Sequence, residues 1–145
     1  MPAARRKERV FLDANVLFSA AYLQDSGLRR LWRLKGVELL SSSYAVEEAR
    51  RNLSEDRPET LGRLDELLKN IKLVGEAPDQ DLPDSFRIDA KDKPILLAAI
   101  RGGSGHLLTG DKRHFGHLYG KIVKGVSIRR PADYLLRRQR KRRSP

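Results

Sequence analysis

The chain has 145 residues and carries 30 Lys and Arg against 19 Asp and Glu, for a formal net charge of +11. That length fits one domain with a core of its own, and no run of about 18 apolar residues exists to form a transmembrane helix. The absence of cysteine excludes a disulfide framework, a thiolate metal site and a cysteine nucleophile, and it is compatible with the reducing cytoplasm, the expected location.

Residues 1–8 form a basic segment, and "MPAARRKER" ahead of an apolar stretch imitates a secretory signal. Asp13 and Asn15 interrupt that stretch and no small-residue cleavage site follows cleanly, so the signal reading is rejected. Residues 9–13 read instead as a short buried strand, and 15–24 as the helix after it. "SGLRRLWRLKG" predicts a second helix, with Ser26 as N-cap and Gly36 as its stop. "VELLSS" is a strand, and "SSYAVEEARRNL" has helical spacing with Val46, Ala49 and Leu53 on one face. "PETLGRLDELLKNI" is an amphipathic helix turning Leu61, Leu64, Leu67 and Leu68 inward. "KLVG" is a candidate short strand and "EAPDQDLPDS" a polar loop with prolines. "DAKDKPILLAAIRGG" predicts a helix that is apolar nearly all round and therefore central. "HLLTGD" is a strand, "KRHFGHL" a short helical turn and "VSI" a last strand. "PADYLLRRQRKRR" closes as a terminal helix with Pro131 near its first turn.

Strands alternating with helices predict an α/β fold around a mostly parallel sheet. Ligand sites in such sheets lie at the carboxyl ends of the strands, where the strand order switches. Asp13 and Asp111 both stand at such ends. With Glu48 and Asp92 they make four acids that this fold can bring to one rim. Taken singly, each has a structural explanation: helix capping for Asp13, Asp92 and Asp111, and a solvated helix face for Glu48. Gathered together, they would repel one another unless cations neutralised them, and an all-oxygen set suits Mg²⁺ or Mn²⁺. His106, His114 and His117 lack the spacing of a zinc site.

"VFLDANVLFSA", "SSSYAVEEARRNL", "DKPILLAAI" and "LLTGDKRHF" together resemble the PIN domain, in order over residues 9–136. Members of that family include the toxin nucleases of bacterial VapBC modules. The resemblance implies a three-layer α/β/α sandwich and a metal-dependent ribonuclease using one or two Mg²⁺ or Mn²⁺ ions. It makes Asp13, Glu48, Asp92 and Asp111 the metal-binding and catalytic residues, with Asn15 and Thr109 as supporting polar groups. Glu47 is a rival to Glu48, and Asp89 a weaker rival to Asp92. Expected partners are RNA, a cognate antitoxin protein and a second copy of the chain, with no membrane association.

The basic excess points to a polyanion. Lys112, Arg113 and His114 stand beside Asp111 and are candidates for contacting phosphate. Arg29 and Arg33, on one face of the expected second helix, can track a nucleic-acid backbone, although a solvated face explains them as well. Residues 137–145 form a basic tail whose Arg137, Arg138, Arg140, Lys141, Arg142 and Arg143 are expected to add salt-sensitive RNA affinity. Phe115 and Trp32 are expected in the core rather than as stacking platforms. Two other functions compete. A haloacid-dehalogenase-type phosphatase needs an acid two positions after the first, where this chain has Asn15. A PIN-like module that binds RNA or protein without cutting would keep the fold and lose the chemistry.

Overall fold

The computed structural model describes residues 7–75 and 88–143, with side chains as far as residue 140. The loop expected over residues 76–85 lies outside the described residues. Five strands run parallel: β1 (Glu8–Leu12), β2 (Val37–Ser42), β3 (Ile71–Val74), β4 (His106–Leu108) and β6 (Val126–Arg129). A two-residue strand β5 (Ile122–Val123) pairs antiparallel with β6 and completes the sheet, in the order β3-β2-β1-β4-β6-β5. The helices are α1 (Ala14–Tyr22), α2 (Ser43–Asp56), α3 (Leu61–Leu68), α4 (Lys93–Arg101), α5 (Lys112–Phe115) and α6 (Pro131–Arg143).

The central strands are apolar runs because helices cover both faces of the sheet. Val10, Phe11, Leu12, Leu40, Leu107, Leu108 and Ile128 are wholly buried. Helices α1, α2 and α3 pack together, and α4 lies against β2, β3 and β4. Right-handed crossovers put these two groups on opposite faces, because the chain steps outward from β1 to β3 and then returns to β4. The result is the expected three-layer α/β/α sandwich. Five successive residues of α4, Ile95–Ala99, are buried, as an all-round apolar helix requires. Phe115 is wholly buried, and half-buried Trp32 donates its indole N–H to the Leu67 carbonyl at 2.9 Å.

Two local expectations change. Residues Gly27–Arg33 form a 3₁₀ helix, with Ser26 accepting from the Leu28 N–H as its cap. In that winding residues three apart eclipse, so the α-helical argument that put Arg29 and Arg33 on one face fails. Strand β5 has no signature in the sequence, since two residues carry no period. A two-residue turn joins it to β6, with Lys124 at φ 48° and Gly125 at φ 86°, the left-handed pair that a tight hairpin uses.

The sheet thus has two ends. All five parallel strands finish at one edge. The 3₁₀ helix lies at the other edge, the foot, because α1 runs back down the sheet before β2 starts. Helix α6 also descends to the foot, where Tyr134 donates to Glu8 at 2.6 Å and Arg138 reaches both Glu8 and the Lys35 carbonyl.

Candidate active site

The strand order reverses at β1, with β2 on one side and β4 on the other, and the crevice above these strands is the switch point of the sheet. A cleft of about 630 Å³ opens there, and Asp13, Asn15, Glu48, Asp92 and Asp111 all line it. Each of these arrives on a different element: the end of β1, the first turn of α1, the middle of α2, the start of α4 and the loop after β4.

Asp13 is only 4% exposed and its position is over-determined. As N-cap of α1, its Oδ1 accepts from the Ala14 N–H at 2.6 Å. Its Oδ2 accepts from the Thr109 hydroxyl at 2.8 Å and from the Asn15 amide at 3.2 Å. Asn15 in turn accepts from the Gly110 N–H at 2.7 Å, so the β1 and β4 ends are laced together. Capping and site-building are therefore one arrangement here. Burial pushes the Asp13 carboxyl up to about 6, with nearby Glu48 and Asp92 adding to the rise and its hydrogen bonds opposing it.

Asp92 is buried at the start of α4, and its Oδ2 has no hydrogen-bond partner. Burial raises its pKa above the ordinary value, and neighbouring Asp111 and Asp89 raise it further against the opposing charge of His114. The segment before it is pinned by the Tyr44 hydroxyl, which donates to the Lys91 carbonyl at 2.9 Å. Burial also pushes Asp111 up, but hydrogen bonds from the His114 ring and backbone prevail, and its carboxyl sits below the ordinary range. Glu48 is half-buried and faces the cleft, whereas Glu47 is exposed and does not line it.

The donor set fits a divalent cation. Several carboxylates converge without enough protein cations between them, and a buried carboxylate oxygen lacks a partner, an arrangement that costs free energy until an ion supplies one. Asn52, Glu55 and Asp56 extend the same wall of the cleft along α2. They escaped the sequence reading, although their spacing of four, seven and eight from Glu48 marks one helical face.

His114 departs from its expected role. Its ring does not face solvent to meet phosphate but turns inward, with Nδ1 at 2.6 Å from Asp111 and Nε2 at 3.1 Å from Asp89. The hydrogen bond to Asp111 raises its pKa, a rise that burial opposes. Lys112 and Arg113 remain exposed beside the cleft. The other basic candidates stand elsewhere. Arg29 is engaged with the Ala20 and Leu23 carbonyls at the end of α1, and with Arg33 it lies at the foot. Arg137, Arg138 and Arg140 lie on the descending part of α6, also at the foot; the side chains of Lys141, Arg142 and Arg143 are outside the described residues.

Comparisons with known proteins agree with this geometry. A family model described as the PIN domain matches residues 9–113. The chain belongs to the PIN domain family. Its fold is similar to that of a chain in the crystal structure of VapBC2 from Rickettsia felis bound to a DNA fragment from their promoter. That match has a TM-score of 0.63 and 18% sequence identity, covering 84% of this chain and 98% of that one. No curated protein sequence matches the chain. Among the described residues, no helix is long and apolar enough to cross a membrane.

Proposed function

We propose that this protein is a Mg²⁺- or Mn²⁺-dependent endoribonuclease, with Asp13, Glu48, Asp92 and Asp111 as its catalytic and metal-binding residues. The observation that carries the reading is the meeting of these four acids, from four separate elements, in one cleft at the switch point of the sheet. These carboxylates would hold a divalent cation, whose chemistry there would be to activate water and to neutralise charge on the phosphodiester. Asp13 holds the centre of the site because Ala14, Asn15 and Thr109 fix both its oxygens. Asp92 offers an oxygen that no hydrogen bond engages, Asp111 flanks it, and Glu48 faces the cleft from α2, placed to orient water. Lys112 and Arg113 provide positive charge for the flanking phosphates. No side-chain nucleophile is required.

The likeness to the VapBC2 structure supports a narrower reading, the toxin of a toxin–antitoxin pair, with a protein antitoxin as partner. Incubating the purified protein with single-stranded and structured RNA, with and without Mg²⁺ or Mn²⁺, tests the activity. Cleavage that needs metal and disappears in Asp13→Asn is expected. Intact RNA in every metal, bound equally by both proteins, would instead establish a binding module.

A further inference from the structure

Among the described residues, one trio of acid and histidine side chains offers one ligand atom each within 4.8 Å of one another, and it is not centred on Asp13. It consists of Asp89, Asp92 and His114. We propose that these three residues form a cation position with a nitrogen donor, which selects Mn²⁺ or a later transition-metal dication over Mg²⁺. The proposal rests on the nuclease reading above only in sharing Asp92 with that site.

Three observations carry it. Asp92 is 7% exposed, and its Oδ2 lies against the His114 ring without a hydrogen bond, 3.5 Å from Nδ1. His114 Nε2 and Asp89 Oδ2 are 3.1 Å apart, close to the edge of an octahedron whose metal–ligand bonds are about 2.1 Å. One nitrogen of the ring engages a carboxylate outside the trio, as in metal-binding histidines. Here Nδ1 is bound to Asp111 at 2.6 Å, and Nε2, paired with Asp89 at 3.1 Å, becomes the donor when a cation replaces the proton between them. Backbone supports the geometry too, since the Asp92 and Lys93 N–H groups both donate to the Asp89 carbonyl, at 2.9 and 3.1 Å. Mg²⁺ favours an all-oxygen shell, whereas imidazole suits transition metals. One nitrogen among carboxylates therefore tilts the preference without abolishing Mg²⁺ binding at the neighbouring acids.

The test is pulsed EPR on the full chain loaded with one equivalent of Mn²⁺, read for nitrogen-14 modulation of the electron spin echo. The wild type is expected to show imidazole coupling, which is lost in His114→Gln and kept in His106→Gln and His117→Gln. A wild-type echo without nitrogen modulation, or modulation that survives His114→Gln, overturns the proposal. Asp89 is exposed, so Asp89→Asn should fold normally and provides a second reading by calorimetric titration. Mn²⁺ affinity is expected to fall about ten-fold with Mg²⁺ affinity nearly unchanged, and an equal fall for both ions overturns the selectivity. RNA cleavage by a Mn²⁺-loaded protein that lacks nitrogen coupling removes this inference and leaves the nuclease reading intact. Failure to bind Mn²⁺ at all removes both.

Discussion

The two ends of the sheet differ in charge. At the carboxyl edge, Asp13, Glu48, Asp92 and Asp111 share a cleft with Glu55 and Asp56, and Lys91 is the cation among its lining residues. At the foot, Arg29, Arg30, Arg33, Lys35, Arg137, Arg138 and Arg140 gather around the 3₁₀ helix and the descending part of α6. The net charge of +11 therefore does not describe the site. A polyanion drawn to the protein by its overall field would meet a cleft that repels it unless cations were bound there. On the proposed reading the acidic end holds the chemistry, and the basic end is suited to salt-dependent attraction.

The largest effect expected from breaking this division comes from the acidic end. Asp13→Asn should lower metal-dependent RNA cleavage about 100-fold or more, measured as kcat/KM on a short oligonucleotide. Glu48→Gln should cost about 10- to 100-fold in the same assay, while Glu47→Gln, on the exposed side of α2, should leave the rate within about two-fold of wild type.

Stability should move the other way. The folded-state pKa of Asp13, about 6, lies above its ordinary 3.8, so the folded protein holds this proton more tightly than the unfolded chain. Its contribution is complete below pH 4 and is lost as pH rises through 6, a swing of about 3 kcal/mol at 1.36 kcal/mol per pKa unit. Metal-free Asp13→Asn, which lacks that charge, should melt about 5 °C above wild type at pH 7, and the gap should close near pH 4.5. This allows for some loss where the new amide meets Asn15 and Thr109. A scanning-calorimetry series against pH checks it, and a mutant less stable than wild type at pH 7 would contradict the account of burial.

The basic end should give the smallest effect on chemistry. Replacing Arg137 and Arg140 with Gln while keeping Arg138, which ties α6 to β1, should reduce the salt slope of single-stranded RNA binding by about 1.4 if each arginine takes one phosphate. The cleavage kcat should stay unchanged. A fall in kcat comparable to that of Glu48→Gln would mean that the two ends are not separate.

Much of this division was legible in the residues. "VFLD" and "HLLTGD" are apolar runs that end in an acid, and a parallel sheet buried on both faces turns such runs into strands that deliver the acid to one edge. Asp13 and Asp111 were therefore readable as strand-end groups. Glu48 and Asp92 were readable only as acids that the fold could bring to the same rim, and the PIN resemblance supplied their roles, because nothing local separates a helix-start acid that caps from one that also faces a cleft. What escaped depended on contacts distant in sequence. His114 reads as one more basic residue in "DKRHF", and only the fold turns its ring toward Asp89, Asp92 and Asp111. Arg29 reads as a free surface charge, whereas the short 3₁₀ winding sends it back to the carbonyls that end α1. The position of the basic tail at the foot follows from the direction of α6, which no composition reveals.

Anomalous diffraction at the manganese edge, from crystals grown with Mn²⁺, tests the central claim most directly. The account predicts a peak at the carboxyl edge of the sheet, within bonding distance of Asp13 and at least one of Asp92 and Asp111, and its loss in Asp13→Asn. A cleft without a peak at saturating Mn²⁺, or a peak confined to other acids, would contradict it.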